Sequence, residues 1–223
     1  MTNARNAILA RLKKKTKTTD SAPIRLKVKH NEALKPKDAV AILIKKLVEN
    51  RAEVHQVNTK SWTHTLAKIA TQNQLKSWLI GSGLHEIEQA SHALTAASPE
   101  VSLVHYTHNY ETLKRTLFHD VEASFTLAKA AIAETGTLVL VPDINEPRMM
   151  SLVPPVHVVL IKESDVLNNF QTLANAPVWS NKIMPSNILF ISSPSKTADI
   201  QQTLAYGAHG PKRLIVLILN ETH

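Results

Sequence analysis

The chain has 223 residues, 43% of them hydrophobic, with 5 glycines, 11 prolines and no cysteine. That composition supports one sizeable core and is too poor in Gly and Pro for collagen-like or low-complexity chains. The missing cysteine excludes disulfides, thiolate zinc sites, catalytic thiols and iron–sulfur clusters held by the chain's own side chains.

The net charge of +8 belongs to the N-terminus. Residues 1–30 carry nine bases and one acid, Asp20, whereas the other 17 bases and 17 acids balance. Three Tyr, three Trp and four Phe are too few and too scattered for a base-stacking platform, so nucleic-acid binding would rest on the arm alone. Residues 1–20 lack an apolar h-region, and no run of about 18 apolar residues occurs. Neither a signal peptide nor a membrane span is expected, and the expected location is cytoplasmic.

In chain order, residues 2–13 predict a short helix bearing Ile8, Leu9 and Leu12. A polar, basic linker (13–22) and an extended stretch (23–30) follow, so residues 1–35 read as a basic arm and 36–223 as the main domain. Residues 36–50 predict an amphipathic helix, with Pro36 in its first turn and a stripe of Val40, Leu43, Ile44, Leu47 and Val48. From residue 53, short apolar runs alternate with helical segments, the pattern of parallel α/β units. Strands are predicted at 54–57, 77–80, 101–104, 122–127, 137–141, 156–161, 187–191 and 214–219. Helices are predicted at 61–71, 84–95, 109–116, 165–174 and 197–206. Residues 130–136 read as a tight connection, and 156–161, almost wholly β-branched or Leu, as a buried central strand. The expected fold is an open, mostly parallel sheet flanked by helices, with an N-terminal helical extension.

Ligands of such sheets gather beyond the carboxyl ends of strands. Ser193, Pro194, Ser195, Lys196, Thr197 and Asp199 fall between a predicted strand and a predicted helix. Free N–H groups, Lys196 and hydroxyls would form an anion pocket there; the alternative is a capped helix start with an exposed lysine. Gly81, Ser82 and Gly83 occupy a second strand-to-helix turn, a ligand cradle or simply a tight turn, matching neither Walker nor dinucleotide patterns. Glu134, Thr135, Gly136 and Thr137 place a carboxylate and two hydroxyls between apolar strands. Glu134 could act as base, nucleophile or clamp, or face water in a turn. Arg148 could grip a carboxylate or pair with Asp143 or Glu146.

His209, flanked by Gly207 and Gly210, could be an acid, a base or a donor. A helix at 197–206, about 15 Å long, would hold it away from Ser195. His85, Glu88 and His92 share a helical face, and His105 and His108 a loop, but Gln89 stands where a zinc protease needs its second histidine. No metal site is expected.

Four motifs in order resemble the lactate-utilization domain (LUD) family, and within it the lactate utilization protein C type. They are Glu134-Thr135-Gly136-Thr137; Arg148 with Ser151-Leu152-Val153-Pro154-Pro155; the run from Ser193 through Lys196 to Ile200; and Gly207-Ala208-His209-Gly210-Pro211. The resemblance covers about residues 38–219, most strongly from 122 onward. Ser193 departs from it, since the family more often has Gly before Pro-Ser.

The resemblance implies a fold like that of ribose-phosphate isomerases and CoA transferases, and a part in oxidising L-lactate to pyruvate beside iron–sulfur subunits. A chain without cysteine would then be an accessory, substrate-handling or assembly subunit, with no cofactor of its own and clusters only in its partners. Its ligand would be a small carboxylate or phosphate. The alternatives are a CoA-transferase-like acyl transfer on Glu134, by fold analogy alone, and a small-anion or sugar-phosphate-binding protein. A folate cyclo-ligase would share the broad fold, but no ATP-phosphate motif is present.

Overall fold

The computed structural model describes residues 2–15, 36–106, 110–175, 185–198, 204–207 and 209–221. The chain divides into two units, 1–33 and 34–223. In the first, helix α1 (Thr2–Lys15) leaves Ile8 and Leu9 exposed and takes in the first residues of the linker expected at 13–22; the rest of that linker, from 16 onward, and the expected extended stretch 23–30 lie outside the described residues.

The second unit opens with α2 (Pro36–Glu49), β1 (Glu53–Asn58), α3 (Trp62–Gln72), β2 (Ser77–Ile80), α4 (His85–Ala97), β3 (Ser102–His105) and α5 (Tyr110–Arg115). A π-helical turn, Thr116–Asp120, leads into β4 (Ala123–Leu127), β5 (Ala130–Ile132) and β6 (Thr137–Leu140). Then follow a 3₁₀ turn (Arg148–Ser151), β7 (Val156–Lys162), β8 (Val166–Leu167), α6 (Phe170–Ala174), β9 (Leu189–Ile191), β10 (Lys196–Ala198), β11 (Leu204–Tyr206) and β12 (Arg213–Asn220).

Six strands form a parallel sheet in the order β1-β12-β7-β4-β2-β3. This is the open, mostly parallel sheet flanked by helices that the alternating pattern predicts. β7 and β12 lie inside it and are buried on both faces, which is why they read as nearly continuous Val, Ile and Leu. One face carries Val158, Leu160, Ile215 and Leu217 against Trp62, Leu66 and Ile69 of α3 and Ile87 and Leu94 of α4. The other carries Val159, Ile161, Val216 and Ile218 against Val40, Leu43 and Leu47 of α2. Val48, expected on that stripe, is 55% exposed, one step outside the apolar face.

The sequence reading misses a second sheet. β8-β5-β6-β9 is four-stranded and mostly antiparallel, so 137–141 and 187–191 do not join the parallel sheet. The expected connection 130–136 contains β5, which pairs with β6 as Ala130↔Val139 and Ile132↔Thr137. The helix expected at 165–174 is shortened by the same sheet. Val166 and Leu167 pair with Ala131 and Ile132, and α6 starts only after Asn169, whose Oδ1 accepts from Thr172 N–H at 2.9 Å.

The largest correction is at 197–206. No helix stands there in the described residues: β10 and β11 form an antiparallel pair, Lys196↔Tyr206 to Ala198↔Leu204. Ser195 N–H donates to the Pro211 carbonyl at 2.8 Å and Gly207 N–H to the Ser195 carbonyl at 2.9 Å. The first bond occupies the Ser195 N–H, and the second occupies the Ser195 carbonyl that a helix start would use for its first turn, so tertiary pairing overrides the Ser and Thr capping pattern.

Candidate functional site

Losing that helix brings two motifs together. With β10 and β11 paired, 193–196 lies directly against 207–211, and the separation expected across a helix disappears. Gly210 shows how close they are: an ideal Cβ on it would lie 3.3 Å from Ser195 Cβ and 3.6 Å from the Leu152 carbonyl oxygen. Around this junction opens a cleft of about 400 Å³ whose lining includes Ser192, Ser193, Ser195, Lys196, His209 and His157. Ser151, Leu152, Phe190, Pro211 and Leu214 complete much of the wall. Among the described residues its lining contains hydroxyls, a lysine and two imidazoles and no carboxylate, which suits a small anion. Lys196 and His209 are exposed, whereas Ser195 is half-buried. Thr197 lies in β10, and Asp199 lies outside the described residues, so the pocket does not rest on a helix N-terminus.

His157 and Leu214 are each the second residue of their strands, so the cleft meets the amino-terminal part of β7 and β12 and not their carboxyl ends. A smaller cavity of about 210 Å³ lies at the carboxyl ends of β4 and β7 and includes Glu86, Lys129, Lys162 and Asp165. There Lys162 is held by Glu86 at 3.2 Å and Glu221 at 3.1 Å. Charges paired in this way leave little field for an anion.

The other predicted site residues separate. Glu134 is exposed in the turn after β5 and does not line the cleft. Thr135 Oγ1 meets Thr137 Oγ1 at 2.7 Å, and Thr137 Oγ1 meets Ser192 Oγ at 2.8 Å. That motif therefore reaches the cleft wall through hydroxyls, not through its carboxylate. Gly136 packs on α2, where an ideal Cβ would lie 2.5 Å from Lys46 Cβ.

Gly81, Ser82 and Gly83 form a turn that the chain itself fills. An ideal Cβ on Gly81 would lie 2.7 Å from the Asn145 carbonyl oxygen and 2.9 Å from Glu146 Cγ, and Ser82 Oγ donates to Asn145 Oδ1 at 3.3 Å. Close backbone approach explains the glycine at 81, and the 143–147 loop is what approaches. Arg148 opens the 3₁₀ turn, exposed, and pairs with neither Asp143 nor Glu146. Its carbonyl accepts from Ser151 Oγ at 3.0 Å. His85, Glu88 and His92 lie exposed along α4. Among the described residues no three His, Asp or Glu side chains gather as a metal would need; His108 lies outside them.

Two titrating groups escape motif reading. Burial pushes the Glu146 carboxyl up to about 7, against the Leu127 N–H it accepts at 2.9 Å and the Lys129 charge, with Asp143 adding to the rise. A carboxyl raised in this way stabilises the fold fully below pH 4.5, and that contribution is lost as pH climbs through 7. Glu146→Gln is expected to flatten stability between pH 4.5 and 7, and to gain about 1–3 kcal/mol over the parent at pH 8 in urea titrations. An unchanged pH profile would mean that Glu146 is solvated.

His157 is the other. It is 0% exposed in β7; its Nε2 meets Thr126 Oγ1 at 2.8 Å, and its Nδ1 has no partner among the described residues. Burial pushes it down to about 3, so the ring is neutral at pH 7. The signal in the sequence was a lone histidine inside the apolar run 156–161.

The fold and the cleft define an α/β domain with a cation- and hydroxyl-lined pocket between a β-hairpin and the parallel sheet. The chain belongs to the LUD domain family, whose sequence profile matches residues 40–219. It is 36% identical over 173 residues to an uncharacterized protein of Neisseria meningitidis serogroup B, covering 78% of this chain and 73% of the relative. It is 32% identical over 96 residues to lactate utilization protein C of Anoxybacillus flavithermus, covering 43% of each, and so spans less than half of that relative. With lactate utilization protein C 1 of Bacillus mycoides the match is 25% over 179 residues, 76% of this chain and 74% of the relative. A DUF162 family protein of Deinococcus radiodurans shares the fold at a TM-score of 0.61 and 18% identity, over 83% of this chain and 99% of that one.

Proposed function

We propose that this chain takes part in lactate utilization as a subunit without clusters, handling a small carboxylate, L-lactate or pyruvate, in the cleft around Ser195 and His209. Relatives named lactate utilization protein C support the process. The observation that carries the ligand class is the convergence of the 193–196 and 207–211 motifs on one pocket bearing Lys196, His209 and serine hydroxyls. Because the chain has no cysteine, electron transfer in this reading falls to partner subunits that carry iron–sulfur clusters. No described helix is long and apolar enough to cross a membrane.

Two outcomes are expected. The purified chain oxidises no lactate with a dye acceptor; robust turnover alone would overturn the accessory role. Lys196→Ala weakens lactate or pyruvate binding about 10-fold in calorimetric titration, the low end for a charge-assisted contact because the lysine is exposed, with melting little changed. Acyl-CoA and sugar phosphates serve as competing ligands, and preferential binding of either would replace the lactate assignment.

A further inference from the structure

Two buried side-chain polar atoms lack a partner among the described residues, Ser124 Oγ and His157 Nδ1, and of these two residues only His157 lines the cleft. The histidine lies on the sheet face that packs α2, in register with Ser124 of β4 on one side and Leu214 of β12 on the other. Its Nε2 is held on the β4 side by Thr126 Oγ1 at 2.8 Å. The cleft wall includes His157 and Leu214 but neither Ser124 nor Thr126. The ring is thus anchored on one flank and borders the cleft on the other.

The proton can be placed by counting partners. Thr126 Oγ1 has no other hydrogen-bond partner among the described residues. If its hydroxyl donates to Nε2, that contact is fully used and the neutral ring carries its proton on Nδ1. The opposite tautomer would orphan the hydroxyl proton and the Nδ1 lone pair together, two losses in place of one. The first arrangement leaves a single unspent group, an Nδ1–H donor, on a wholly buried side chain at the wall of the cleft. An orphan of this kind calls for a missing acceptor.

We infer that His157 is a ligand-reading residue at the floor of the cleft, its Nδ1–H donating to an oxygen of the small carboxylate held there. The inference rests on the function proposed above and deepens it: the exposed Lys196 supplies charge at the mouth beside His209, and a neutral, fixed donor reads the oxygen inside. Nδ1 is closed to bulk water in the free chain, so a ligand oxygen reaches it through a small shift of the cleft wall. Burial holds the ring neutral across the physiological range, so its donor is unaffected by pH there, unlike an exposed imidazole.

The test uses the full chain with ¹⁵N-labelled histidine and long-range ¹H–¹⁵N spectra, the His157 signals being assigned by their loss in His157→Asn. In the free protein the spectrum should show a neutral ring protonated on Nδ1, unchanged between pH 5 and 8. Added L-lactate or pyruvate should shift the His157 Nδ1 signal and the His209 signals together, at one saturating concentration. His157→Phe should weaken binding about 10- to 150-fold, as expected for losing a hydrogen bond to a charged group. His157→Asn, which keeps a donor near Nδ1, should recover part of the loss.

A free ring protonated on Nε2 would overturn the inference. So would a ligand that shifts His209 and leaves His157 untouched; the cleft reading would then survive and the Nδ1–H would serve only an internal water. If neither histidine responds to lactate or pyruvate, both the inference and the function on which it rests fail. The parent spectra decide these cases even if His157→Phe does not fold.

Discussion

Acidification from pH 6.5 to 3 is expected to remove stability through His157 alone, approaching about 5 kcal/mol at the acid limit. In the unfolded chain the imidazole takes a proton near pH 6.5; in the fold, burial pushes it down to about 3. The unfolded state therefore binds more protons throughout that window, and stability falls as pH falls. Among the described residues no carboxylate meets the ring: Nε2 faces Thr126 and Nδ1 has no partner. Glu146 acts in the opposite sense between pH 7 and 4.5, so the two partly offset each other in the parent protein. Urea titrations at pH 7, 5.5 and 4 on the parent and on His157→Asn separate them. The variant should lose much less stability on acidification. Parallel profiles would mean that water reaches the ring.

Gly136→Ala is expected to cost about 2–5 kcal/mol. The backbone there has φ +65°, where an L side chain loses roughly 1–2 kcal/mol. A Cβ would also sit 2.5 Å from Lys46 Cβ and 3.1 Å from the Lys46 carbonyl carbon. Helix α2 would have to move, and overpacking of this kind costs about 1–3 kcal/mol more. Gly83 is the control. Its φ is +78°, but its nearest neighbour is Asn145 Nδ2 at 3.6 Å, so Gly83→Ala should cost only the backbone term, about 1–2 kcal/mol. Equal losses at the two positions would show that contact with α2 is unimportant. Gly136 thus packs on α2 and sits between Thr135 and Thr137 in their hydroxyl chain to Ser192.

The parallel sheet was legible because its interior strands are apolar on both faces and its helices carry one-sided stripes. The 77–80 strand and the start of the 36–50 helix are found where the residues place them. The second sheet was not legible: 137–141 and 187–191 read as strands of the parallel sheet, whereas β5 and β8 are three and two residues long, too short to show a period. Their pairing, not their pattern, makes them strands. The 197–206 segment failed for a related reason. Ser195, Thr197 and Asp199 are spaced as a helix start would have them, yet Pro211 and Gly207 bind the backbone of Ser195 from across the chain.

The candidate site followed the same division. Ser193, Ser195, Lys196, His209 and Gly210 were visible as motif residues, but their meeting in one cleft required the hairpin. Gly81 was visible as a special glycine, though what approaches it is the chain's own Asn145 and Glu146. His157 was concealed by its surroundings, since a histidine among valines reads first as one more residue of a buried strand.

The central claim is that the 193–196 and 207–211 segments build one cleft that takes a small carboxylate. Crystals of the full chain grown with saturating L-lactate or pyruvate test it most directly. The account predicts density for the ligand between Ser195 and His209, with its carboxylate within hydrogen-bond reach of Lys196 or the serine hydroxyls. Ligand density at the 81–83 turn or beside Glu134, with the Ser195 cleft empty, would contradict it.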